Sequence, residues 1–262
     1  MSATHILASH GGVLPRPDDL QKMADENADA AFAERLPSAV AECVQQQLDA
    51  GMDIVNDGEL VKRAGFNGYI RERMRGIEPR PAAPVPRAGS IWTRNRTGAR
   101  DQNEFPGFHA SHRNNSSVTG SFIRTPDGGG WAPGPTNPAQ ACVGPIEYVG
   151  QEAIRADVER FRAALAGHSV EGFMAALGPG TFTANMLNEH YPSGEALLFG
   201  AAEALHEEYK AIVDAGFLLQ IDDPFLVTYY IMRPKLSIAD CRKWAHVRVE
   251  ALNAALDGIP AD

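Results

Sequence analysis

VQQQLDAGMDIVNDGE (44–59) is written a second time, loosely, as YKAIVDAGFLLQIDDP (209–224). Each copy ends an amphipathic helix on Ala-Gly, runs through a few apolar residues, and closes on acids beside Gly or Pro. Gly51 and Gly216 supply the left-handed residue that stops a helix. Met52–Val55 and Phe217–Ile221 are short, nearly all-apolar runs, the composition of a parallel strand buried on both faces. Asp57, Glu59, Asp222 and Asp223 therefore fall at the carboxyl ends of strands, the rim where parallel α/β folds bind ligands and do chemistry.

Outward from the two copies, strands and helices alternate. A strand over His5–Ala8 runs into SHGGVLPRP, where glycines and prolines force an irregular turn. The pattern predicts helices from about Pro37 to Ala50, near Gly68–Arg75, over Glu152–Ala166 and over Pro192–Ala215, with further strands at Ala141–Tyr148 and Gly172–Leu177. Ile154, Val158, Phe161 and Leu165 mark one face of the helix that Gly167 ends. In the last helix Ser237 is the cap and Asp240 lies in the first turn; Ile238, Cys241, Ala245, Leu252 and Leu256 line a face, and Gly258 closes it. The alternation gives an α/β fold of the (βα)8 TIM-barrel type, with about five of the eight βα units in this chain. Residues 1–262 form a single partial βα-barrel domain. Within it, 79–141 is a loop or hairpin excursion that holds nine of the eighteen prolines, and Val118–Arg124 alternates there like an edge strand.

A chain of 262 residues with 44% hydrophobic content can bury one large core. A net charge of −9 argues against nucleic acid, whose partners carry a basic footprint. No run of about 18 apolar residues and no signal peptide is present, so the expected location is the cytoplasm, away from membranes. Cys43, Cys142 and Cys241 stand far apart in no metal-binding spacing and read as reduced, mostly buried residues.

Asp222 and Asp223, fixed by Pro224, are placed to bind an ammonium group, orient a water or hold a metal through a partner; alternatively one caps a turn and the other is solvated. Glu59 faces either the rim or solvent. The turn SHGGVLPRP offers the N–H groups of Gly11 and Gly12, the His10 imidazole and the Arg16 guanidinium, a set able to hold a carboxylate or phosphate. Its plainer alternative is a glycine-proline turn with Arg16 paired to a helix acid. GPGTF (178–182) specifies a tight turn and is no P-loop. His109 and His112 read as a solvated loop, and His190 with Asn188 and Glu189 lacks the compact set that zinc requires. No metal ligand is assigned.

GVLPRP, AGMDIVNDGELVKRAGFNGYIRER, GPIEYVG, GPGTF and above all EEYKAIVDAGFLLQIDDP together resemble the cobalamin-independent methionine synthase family in its short, single-barrel form. The resemblance covers nearly the whole chain in order. It implies a zinc-dependent homocysteine S-methyltransferase, in which zinc activates the substrate sulfur as a thiolate that accepts a methyl group. It also implies that Glu59 and Asp222 hold the amino group of the thiol substrate; together with the reading of the residues themselves, Asp222 is the catalytic candidate and His10, Arg16, Glu59, Asp222 and Asp223 are the substrate-binding ones. Val13 stands where the family has Ser, and Asp223 where Glu is usual. The family's zinc ligands follow a segment like ALDGIPAD, with which this sequence closes, so zinc is expected from the family while its ligands are absent here.

Three readings follow. The chain is the substrate-binding part of a thiol methyl- or alkyltransferase, taking a small thiol and a methyl or alkyl donor, with a second chain completing the barrel. It is instead a non-catalytic subunit or homo-oligomer of such a barrel, whose open sheet edge demands cover. Or it is a uroporphyrinogen-decarboxylase-like lyase that uses acids and arginines such as Arg87, Arg94 and Arg96.

Overall fold

The computed structural model describes residues 5–63, 65–80, 139–184, 186–226 and 237–260. Val118–Arg124, His109, His112, Arg87, Arg94 and Arg96 lie outside them. Two long helices frame the fold: α2 over Asp29–Asp49, after a short α1 over Asp18–Asp25, and α6 over Gly194–Asp214. Phe32, Leu36, Val40 and Val44 repeat every four residues and bury one stripe of α2. Pro37 lies inside this helix rather than at its start, because the apolar stripe begins a turn earlier at Phe32. Ser193 caps α6 by accepting from the Ala196 N–H, 3.0 Å away.

Both long helices lead into the sheet through the same device. Gly51 and Gly216 adopt φ of +79° and +83° and turn the chain into β1 over Ile54–Asn56 and β6 over Leu218–Asp222. Between these strands lies β4 over Glu171–Leu177, parallel to both. It is preceded by α4 over Gln151–Leu165, whose Ile154, Val158 and Phe161 are buried, and followed by α5 over Pro179–Thr183. β4 is the most deeply covered strand, with Phe173 through Leu177 all buried. α7 over Ile238–Ala255 packs against α6 and α5. Its cap is the expected one, the Asp240 N–H donating to Ser237 Oγ at 3.1 Å.

Four expectations need correction. His5–Ala8 forms no strand: the segment carries Ile6 at 94% exposure and meets the sheet through the bridge of Ser9 to Ile54. Ala141–Tyr148 does not join the parallel sheet. It belongs to β3 over Ala139–Tyr148, which pairs antiparallel with β2 over Met74–Arg80 and parallel with β5 over Met186–Asn188. The chain leaves on β2 and returns on β3, so the nearest partner for the returning segment is the strand it left, and the two ends of the excursion close as a hairpin. The predicted helix near Gly68–Arg75 is α3 over Gly65–Arg71, and β2 claims the residues from Met74 onward. Ile238 does not line the packed face of α7; it is 58% exposed, because that helix buries Cys241, Ala251 and Ala255 instead. What stands is a mixed α/β fold with a parallel sheet of order β1-β4-β6 and a second small sheet beside it.

Candidate functional site

Because β1, β4 and β6 are parallel, their carboxyl ends open onto one rim. The first copy of the repeat reaches it through a tightly specified loop. Gln47 on α2 clamps Asn56, donating to its carbonyl at 2.8 Å and accepting from its N–H at 3.0 Å. Asn56 Oδ1 then accepts from the Gly58 N–H at 2.6 Å, and Asp57 Oδ1 from the Glu59 N–H at 3.0 Å. These side-chain turns hold Glu59 at φ +54°, a left-handed conformation that costs a non-glycine residue on the order of 1 kcal/mol. The outcome is a carboxyl group aimed inward, on a residue only 3% exposed.

Each Glu59 oxygen meets a different neighbour. Oε1 faces Gly12 so closely that a Cβ there would stand 2.4 Å away; only glycine lets the N-terminal turn approach. Oε2 lies 3.2 Å from Lys62 Nζ. The ion pair stabilises the charged form of Glu59 against its burial. Lys62 donates to the carbonyl of Ala175 in β4 at 2.7 Å, and its ammonium lies 5.2 Å from the centre of the Tyr69 ring. A buried cation thus stands at the central strand, between the acids of the two outer ones.

The second copy arrives from β6. Gln220 Nε2 donates to Asp222 Oδ1 at 3.0 Å and to the Gly11 carbonyl at 2.9 Å, which ties β6 to the N-terminal turn. Asp223 faces away toward α5. Its Oδ1 accepts from the Thr181 hydroxyl at 2.6 Å, and its carboxylate fills the space beside Gly178 and Gly180, where added Cβ atoms would come within 2.6 and 2.7 Å. GPGTF is accordingly a short helix held at its start by Asp223, more than a bare turn.

Burial dominates the electrostatics. It pushes the Glu59 carboxyl up to about 7, with Lys62 opposing and the charges of Asp57 and Asp222 adding. Burial also raises Asp57, against Lys62, and raises Asp222, against the Gln220 hydrogen bond and Lys62. Asp57, Glu59 and Asp222 all draw on Lys62, so the group these acids favour is another cation that brings its own hydrogens, such as an ammonium.

Of the residues expected at the site, Glu59 and Asp222 share this rim and the glycine turn touches both of their neighbourhoods. His10 bends back on its own turn, where the Gly12 N–H donates to Nδ1 at 3.2 Å. Arg16 donates through Nε to the Leu60 carbonyl at 2.9 Å and through Nη1 to Gln21 Oε1 at 3.1 Å, fastening the turn to the loop that presents Glu59. Lys62 and Gln220 went unforeseen. Lys62 follows Glu59 by three residues, the spacing of one tight turn, and Gln220 shares a strand face with Asp222 at i, i+2; those two spacings were the available signals.

Behind the rim, Arg73 donates to Asp157 Oδ2 at 2.6 Å and Tyr148 to Glu208 Oε2 at 2.8 Å, a buried cluster that ties the hairpin to α4 and α6. Among the described residues no group of three or more His, Cys, Asp or Glu side chains could hold a metal ion, and no described helix is long and apolar enough to cross a membrane.

Comparison of the sequence with protein families finds no match, and comparison with curated proteins finds none either. The fold does have relatives among solved structures. A B12-independent methionine synthase from Shewanella sp., in complex with selenomethionine, matches 97% of this chain with a TM-score of 0.58 at 20% identity. A Listeria monocytogenes protein assigned as a vitamin B12-independent methionine synthase matches 98% of it with a TM-score of 0.62 at 16% identity. The chain spans 59% and 64% of those two proteins, and over that span it has their fold.

Proposed function

We propose that this chain binds the amino group of a small sulfur-containing amino acid, as the substrate-binding part of a methyltransferase of the methionine-synthesis type, within a larger βα barrel. The observation that carries the reading is the convergence of Glu59 and Asp222, one from each copy of the repeat, on a rim where buried acids draw on one lysine. A ligand ammonium supplies the missing positive charge and donates to Glu59 and Asp222. Gly12 leaves room for the Glu59 carboxylate, while His10, Arg16 and Asp223 hold the surrounding turns. The likeness in fold to two methionine synthases, one of them bound to selenomethionine, favours a sulfur or selenium amino acid over other amines.

Zinc is the metal that the family resemblance implies, and the described residues do not fit it. The rim offers acids already engaged with Lys62 and Gln220, and Cys43, Cys142 and Cys241 are each buried away from any metal-binding group. The part of the reaction assigned to this chain is to bind and orient the amino acid.

Calorimetry with L-methionine and with 4-(methylthio)butanoate, which lacks the amino group, tests the reading. Methionine is expected to bind and the des-amino compound to bind at least about tenfold more weakly, the cost of leaving a buried acid unpaired. Gly12→Ala is expected to abolish methionine binding by displacing Glu59. Equal affinity for the two compounds would refute an ammonium cradle.

A further inference from the structure

Lys62 is the group on this rim that no ligand contact requires. Its side chain is 5% exposed and that of its partner Glu59 2%, and the ammonium is anchored at 2.7 Å on the Ala175 carbonyl. It faces Glu59 Oε2 at 3.2 Å, a buried ion pair that favours the charged carboxylate. We propose that Lys62 is a positioning residue: it keeps Glu59 ionised as an acceptor for a ligand's ammonium and thereby sets the pH range over which an α-amino ligand binds. The ligand half of this inference rests on the function proposed above; the hold of Lys62 on Glu59 does not.

The charges around the pair give the direction. Glu59 is faced by Asp57 from its own loop, by Asp222 from β6, and by the turn carrying His10. Lys62 is faced in addition by Tyr69 on α3, while Glu208 on α6 and Asp222 feel its charge. Remove Lys62, and the influences left on Glu59 are burial and neighbouring acids, all of which favour the proton. A neutral Glu59 offers an ammonium one poor acceptor in place of a carboxylate.

The test is a pH titration of the ligand-free protein by NMR, with carbon-13 in the glutamate side chains and Glu59 assigned through Glu59→Gln. In the wild type Glu59 is expected to titrate near pH 7. Lys62→Met is expected to move the midpoint up by about one pH unit or more, a tenfold change in proton affinity, and Lys62→Arg to restore it. An unchanged midpoint in folded Lys62→Met overturns the proposal. Should that variant not fold, the wild type decides: the Lys62 Cε resonance must shift at the Glu59 midpoint, and indifference to it overturns the proposal equally. Calorimetry with L-methionine from pH 6 to 9 then reads the ligand half. Lys62→Met should lose about tenfold in affinity near pH 7 and regain it at high pH, whereas the same loss at every pH would mark a merely structural role and contradict the proposal. If the wild type binds no methionine at any pH while the Glu59 midpoint still depends on Lys62, the proposed function fails and the hold of Lys62 on Glu59 stands.

Discussion

After Gly51 the first copy of the repeat enters β1, where Val55 is fully buried and the acids Asp57 and Glu59 are 7% and 3% exposed; after Gly216 the second enters β6, where Leu218 is 44% exposed and Asp222 only half-buried. The two sentences are near-synonyms, and the glycines at their centres adopt the same turn. The difference comes from position in the sheet. β1 lies between the N-terminal segment at Ser9 and β4, whereas β6 pairs, among the described residues, with β4 alone. Sequence thus sets the path of the backbone, and neighbours set how dry its end becomes. Dryness in turn sets chemistry: Glu59 is pushed up to about 7, while the better solvated Asp222 keeps a Gln220 hydrogen bond that resists its rise.

That contrast can be broken at three places. The largest effect is expected in the pH dependence of stability. Glu59 ordinarily titrates at 4.5 and in the folded protein near 7, so the folded state takes up its proton more readily than the unfolded one. Its contribution is complete below about pH 4.5 and is lost as the pH rises through 7, by roughly 3 kcal/mol in all. Urea denaturation between pH 4 and 8 should show that decline in the wild type, and Glu59→Gln should flatten it. Asp222→Asn, at the wetter copy, should flatten it less, and an equal effect would erase the contrast.

Core truncation comes next. Val55→Ala removes fully buried methyls and should cost about 2 kcal/mol, while Leu218→Ala, at the start of β6, should cost less than about 1. Comparable losses in thermal unfolding would mean that β6 is as well covered as β1. The smallest effect tests what the copies share. Gly51→Ala and Gly216→Ala each place a side chain at φ near +80° with open space around it, so each should cost about 1 kcal/mol and the two should agree closely.

Much of this was legible in the residues themselves. The repeat announced two helix-glycine-strand units with acids at one end, because Ala-Gly before an apolar run has few other uses. Gly172–Leu177, nearly all apolar, was equally plain as a buried strand. Ala141–Tyr148 misled, since its composition suits a strand of either sheet and composition carries no direction; the partner was decided by the hairpin that returns it to β2. GPGTF read as a turn because Asp223, which stabilises it as a helix, is more than forty residues away. At the site, Glu59 and Asp222 followed from strand ends, but Lys62 did not. A lysine in GELVK reads as solvated until the fold brings Ala175, Tyr69 and the acids of both copies around it.

The proposed function requires both copies of the repeat to address one ligand ammonium. The most direct test is a double-mutant cycle on L-methionine affinity with Glu59→Gln, Asp222→Asn and the pair, measured by calorimetry above pH 8, where Glu59 is charged. If they hold the same group, the losses should be strongly non-additive, with a coupling of about 1 kcal/mol or more. Losses that simply add would place the two acids on separate contacts and contradict a shared cradle.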